Sequence, residues 1–198
     1  MAITTEQIKE LRDATGVSVM QCKKALEEAG GDMAKALLLL KKKSADIAAK
    51  KGDRELGSGT VATYIHANGA VGAMVLLSCE TDFVAKNEEF KILAYEIAMQ
   101  IAAASPEFAR RENIDEKTKL DVREMFLKDV SDLKKDEGMK EKILEGKIDG
   151  YFKDKVLLEQ NFIKDESITI KDLIEKFVQK FGERIEVSRF ARYSTISK

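Results

Sequence analysis

The chain contains no Trp, one Pro, one His and two Cys among its 198 residues. Each scarcity excludes something. Cys22 and Cys79 alone make neither a disulfide framework nor a metal cluster. There is no HExxH, no CxxC and no glycine-rich phosphate loop. Charge of one sign is also lacking: 34 Lys and Arg stand against 35 Asp and Glu, a formal net charge of -1. No basic field is therefore available to hold nucleic acid irrespective of its sequence. No apolar run reaches the roughly 18 residues of a membrane span. The N-terminus, "MAITTEQIKELRD", has no basic region followed by an apolar one, as a secretory signal would. The expectation is a cytoplasmic protein with no membrane and no direct nucleic-acid partner.

What is present is enough for a core. Hydrophobic residues make up 44% of the chain, and its length suits one domain, or a domain plus a small module. The first fifty residues read as three short helices. Thr4 or Thr5 caps the first, Gly16 breaks it, Ser18 caps the second, and Asp32 caps "MAKALLLLKKK". We delimit this module at residues 1–52, a linker at 53–58, and an α+β core at 59–198. The core opens with "TVATYIH", then "ANGA", then "VGAMVLLSC". That is a hairpin, with Asn-Gly favouring positive backbone angles at its turn. Val71 to Leu77 is nearly all apolar, which predicts burial on both faces. From Asn87 the period becomes helical, with Phe90, Leu93, Ile97 and Ile101 on one stripe, and Pro106 marks the end. Residues 115–135 carry an apolar edge of Leu120, Phe126, Leu127, Val130 and Leu133. Thr169 caps a late helix that Gly182 ends. A strand from Arg184 to Tyr193 changes phase at Phe190. The fold class is α+β: three helices, then an antiparallel sheet of about three strands packed with helices.

Covalent chemistry finds little support. Cys79, Glu80 and Asp82 with His66 can be imagined as a nucleophile cluster. Residues 79 and 80 of a strand point to opposite faces, and no third group is evident. We expect no catalytic residue, no metal and no cofactor. Two features ask for more. One is Arg12 and Met20 on the helical module, where Met20 is either core filler or a contact. The other is "ETDFVAKNEEF" at 80–90. Phe83 there either packs back as a staple on the helix that follows, or is held out for a partner.

"LRDATGVSVMQCKKALEEAGGDMAKAL" at 11–37 and "TDFVAKN" at 81–87 resemble the two signature regions of the translation elongation factor Ts family. "YIHANGAVGAMV", "IAMQIAAASPEF" and "LLEQNFIKDESITIKDLI" resemble its core domain. The resemblance implies a guanine-nucleotide exchange factor for the GTPase elongation factor Tu. That partner binds the nucleotide; this chain binds none itself. The helical module would be the family's ubiquitin-associated-like domain, with Arg12 and Met20 at contact positions. Asp82 and Phe83, flanked by Thr81 and Val84, match the loop that engages elongation factor Tu. There the family's Phe wedges between helices and disturbs the Mg2+ site. His66 matches a core histidine at the same contact. Longer members carry two core subdomains; this chain has room for one, which implies a homodimer joined through its sheets. A different class of function stays open beside this one: an adaptor whose helical module binds a ubiquitin-like or nascent-chain partner.

Overall fold

The computed structural model describes residues 3–133 and 135–195. Among them the elements run α1 (Thr5–Thr15), α2 (Val19–Glu28), α3 (Met33–Lys50), β1 (Ser58–Ile65), β2 (Val71–Cys79), α4 (Asp82–Ala85) and α5 (Glu88–Ala104). They continue with α6 (Glu116–Ser131), α7 (Glu137–Lys155), β3 (Asn161–Phe162), β4 (Asp165–Thr169), α8 (Ile170–Phe181) and β5 (Ile185–Ser194). The class is α+β. The main sheet is three-stranded and antiparallel in the order β1-β2-β5, and β3 pairs with β4 in a separate two-stranded sheet. The chain packs as two compact units, one of Met1–Ala62, Val75–Glu96 and Lys171–Ser188, the other of Thr63–Met74, Ile97–Ile170 and Arg189–Lys198.

In the first unit the three N-terminal helices enclose their own core of Leu11, Val17, Cys22, Ala25, Leu26, Ala36 and Leu40. Their ends are set by local chemistry. Thr4 and Gln7 form a capping box on α1, Ser18 caps α2, and Asp32 accepts from the Lys35 amide at 3.0 Å. Gly16 stops α1 at φ 71, a left-handed conformation that suits glycine. Helix α3 is longer than its apolar stretch suggests, because it lies against α8. Buried Ser44 hydrogen-bonds Gln179, Lys41 pairs with Asp172 at 3.1 Å, and Lys51 reaches the Gly182 carbonyl. The same unit holds the inner end of β2, where Val75, Leu77 and Cys79 are all fully buried, and the start of α5, where Phe90 and Leu93 are as well. Phe90 meets Phe181 of α8 edge-on, with ring centroids 6.5 Å apart.

The second unit contains the hairpin tip, α6, α7 and the β3–β4 ribbon. Here the turn differs from the expectation. Gly69 has φ 74 and Asn68 does not have positive φ. The Asn68 side chain instead accepts from the Ala70 amide at 3.1 Å, and His66 N–H donates to Val71 across a four-residue loop. Two-sided burial of β2 also fails at Met74, which is 50% exposed. Helices α6 and α7 are joined by Ile114, Val122, Phe152 and Val156, with Phe126 and Tyr151 packed beside them. Leu120 and Leu127 of the expected apolar edge are exposed, while Val122, outside that edge, is buried.

Strand β1 approaches β2 closely at one point. A Cβ placed on Gly59 would lie 2.6 Å from the Leu77 carbonyl oxygen and 3.0 Å from the Ser78 Cα. Both are backbone atoms in a paired strand, so neither can swing aside. Gly59→Ala should therefore cost about 1–3 kcal/mol of stability. Thermal denaturation should show this as a drop of several degrees in Tm.

Candidate functional site

The stretch from Glu80 to Asn87 leaves the buried end of β2 and enters α5 after one helical turn. Thr81 is the N-cap of α4, with extended backbone at φ -124 and ψ 158. Successive helical side chains are about 100° apart. Val84 and Ala85, at 8% and 7% exposure, take the inward directions. Phe83 is thereby turned out and is 84% exposed. It is not a staple. Asn87 then caps α5, accepting from the Glu89 amide at 2.9 Å.

Three side chains, two of them from distant parts of the chain, hold this turn. Thr60 of β1 donates its hydroxyl to the Ala85 carbonyl at 2.9 Å. The Cys79 thiol donates to the Thr81 carbonyl at 3.2 Å. Glu183, in the connection between α8 and β5, accepts from both the Thr81 amide at 3.0 Å and the Thr81 hydroxyl at 2.5 Å. Beside it the relation is reversed: Glu80 accepts from the Arg184 amide at 2.5 Å and from Arg54 at 3.0 Å.

The electrostatics follow from these partners. Burial opposes ionisation of Glu80, but the Arg184 amide and the Arg54 guanidinium outweigh it and hold the carboxyl below its ordinary range. Asp82 is also held low, by the Lys86 ammonium that donates to it at 2.6 Å. Both partners of that pair are well exposed, so it orients the side chain more than it stabilises the fold. Burial, with the Glu183 charge adding to it, pushes the Cys79 thiol up to about 11. A thiol kept protonated is a poor nucleophile. No group of three or more His, Cys, Asp and Glu able to hold a metal occurs among the described residues.

The structure gathers Thr81, Asp82, Phe83 and Val84 onto one turn, with Val84 facing inward. Arg12 lies in the last turn of α1 and is exposed; Met20, near the start of α2, is 81% exposed rather than core filler. His66 belongs to the second unit, is exposed, and lies 3.2 Å from the Tyr64 hydroxyl through Nδ1. Sequence reading did not find Glu183, Arg184 or Thr60. Glu183 sits 102 positions from Thr81, and only the pairing of β2 with β5 brings them together.

A family model described as "Elongation factor TS" matches residues 46–196. The chain is 47% identical over 191 residues to an elongation factor Ts of Carboxydothermus hydrogenoformans, covering 96% of this chain and 88% of that protein. It is 46% identical to one from Thermotoga petrophila, covering 98% of this chain and 96% of the other. It is 44% identical to one from Thermosipho melanesiensis, covering 97% and 98% respectively. These relatives place it among the factors of translation elongation in protein biosynthesis. The chain belongs to the elongation factor Ts family. No helix among the described residues is long and apolar enough to cross a membrane.

Phe83 touches so little that its removal should leave the fold intact. Phe83→Ala should change unfolding free energy by less than about 0.5 kcal/mol, as expected for an exposed site. Urea denaturation checks this. A loss of 3 kcal/mol or so would mean that the ring is packed in solution.

Proposed function

We propose that this chain is the guanine-nucleotide exchange factor of elongation factor Tu, and that Phe83 is the group it inserts near the partner's Mg2+ and phosphate site. The observation that supports this most is a large aromatic, 84% exposed, on a turn fixed at the end of a buried strand. A free-standing ring normally loses freedom when it docks. Here the backbone is already ordered. Large anchors of this kind dominate interface energies.

The role requires no covalent step. GDP is held on such a GTPase by backbone amides, a lysine and Mg2+. A factor that binds the nucleotide-free form better than the GDP form lowers GDP affinity by the same ratio, because coupling between two ligands is reciprocal. Asp82, held ionised beside Lys86, brings a carboxylate to the same place and can compete for groups that serve the metal. Val84, turned inward, supports the turn. We assign residues 1–52 as a second, ubiquitin-associated-like grip, with Arg12 and Met20 as its exposed contacts, and residues 59–198 as the core beyond the linker. His66 would add a contact from the hairpin.

We also propose that the chain works as a homodimer. The outer end of the main sheet carries Ile65 at 70%, Met74 at 50% and Tyr193 at 77% exposure. These line a cavity of about 410 Å³ with Thr63, Gly72 and Ala73. Apolar side chains gathered on one open sheet face are the usual mark of an interface.

Two measurements test these readings. Fluorescent GDP preloaded on elongation factor Tu should be released faster on adding micromolar factor, and Phe83→Ala should cut that acceleration tenfold or more. No acceleration by the unaltered chain would end the exchange reading. Light scattering should give twice the mass of one chain, and Met74→Glu should shift it toward one. A single-chain mass at every working concentration would remove the dimer.

A further inference from the structure

We propose that Glu183 is a positioning residue for the Phe83 turn: its carboxylate clamps Thr81 and sets where the ring is presented. The inference rests on the exchange reading of Phe83 and adds a residue to it. Strands β2 and β5 are neighbours in the sheet. As they separate, backbone pairing gives way to a reciprocal exchange of side chains. Glu183 takes the Thr81 amide, and Glu80 takes the Arg184 amide. Each carboxylate thus supplies the acceptor that a further ladder step would have supplied. Ionised acceptors make the stronger hydrogen bonds.

The Thr81 hydroxyl gives a second, independent indication. A threonine at an N-cap ordinarily accepts from the amides of the first turn, as Ser18 and Asp115 do on their own helices. Thr81 makes no such bond. Its hydroxyl donates to Glu183 instead, at 2.5 Å. The turn gives up local helix stabilisation for a tie to a distant point of the chain. That arrangement suits a segment whose position matters more than its helicity. Glu183 itself follows Gly182, where α8 ends at φ 71. Gly182 is in turn tethered by Lys51 through its carbonyl. The clamp therefore starts from a fixed point.

A clamp that orders the free protein predicts a particular kinetic signature. If only part of the population presents the ring, apparent affinity falls by that fraction while the rate at saturation is kept. Glu183→Ala should raise the factor concentration for half-maximal GDP release about tenfold, with the plateau rate within twofold of the unaltered protein. In the free chain, amide hydrogen exchange of residues 80–87 should speed up about tenfold, with that of α1 to α3 unchanged. Glu183→Gln can keep both contacts, since its amide oxygen accepts from the Thr81 N–H and its NH2 can donate to the hydroxyl. It should recover most of both effects. Thr81→Val, which removes only the hydroxyl contact, should give a smaller loss and add little to Glu183→Ala.

Unchanged amide exchange at 80–87 in Glu183→Ala would overturn the proposal. So would faster amide exchange with no change in half-saturation, or a Gln variant no better than Ala. Should Glu183→Ala fail to fold, the Gln and Thr81→Val variants decide by the same two readouts. Phe83→Ala separates the underlying reading. If it alters neither plateau nor half-saturation, the exchange role of the ring fails. The amide-exchange arm then still reports whether Glu183 holds the turn.

Discussion

A side chain can be kept in water at a defined place only if the backbone beneath it is fixed. Phe83 gains almost nothing from the fold, so the fold must hold its backbone by other means. The end of strand β2 supplies them. Val75, Leu77 and Cys79 are buried without exception up to the point where the chain emerges, and burial of that kind stabilises by about 1.5–3 kcal/mol per large side chain. Beyond Cys79 there is no apolar anchor until Val84. The gap is bridged by hydrogen bonds from Cys79 and Glu183, and Thr60 takes hold again at Ala85. Helix α5 then braces the far side, with Phe90 packed on Phe181.

Helix α8 links the remaining parts of this unit. One face of it is apolar, with Leu173, Ile174 and Val178 buried. Another is polar, and it meets the N-terminal helices through Gln179 and Asp172. Near its end Lys180 pairs with Glu89 in the first turn of α5. The three-helix module has an apolar core of its own, and hydrogen bonds and ion pairs tie it to α8. Polar contacts of this sort fix direction at small net gain. The module's shape is set by its own residues, and its placement by α8.

The same contrast explains what could be read from the amino-acid sequence. Caps and apolar stripes act within a few residues, so Ser18, Asp32 and Gly182 were legible, as were Phe90 and Leu93 on one stripe. The phase of β5 does shift near Phe190: Ile185 and Val187 are buried before it, and the half-buried positions after it are 190 and 192. The β3–β4 ribbon was not legible, because a strand of two residues has no period to detect. Met74 was misread as covered on both faces, since an apolar run shows only that burial is available. Glu183 was invisible for a stricter reason. Its partners lie across the sheet, and a charged residue after a helix-ending glycine has no local mark of its role.

On the exchange reading, this order in the free chain has an energetic consequence. A factor acts on bound nucleotide only through the difference between its affinities for two states of its partner. Any affinity lost in ordering its own loop lowers binding to both states equally and leaves that difference untouched. A loosened turn would therefore weaken the complex without weakening the coupling, whereas loss of the ring would weaken the coupling itself. The carboxylates that hold the turn and the aromatic that it displays thus belong to different terms of the same free-energy cycle. Thr81, which Glu183 holds, lies only two positions from Phe83, because the strand end that fixes the backbone is also the point from which Phe83 leaves the core.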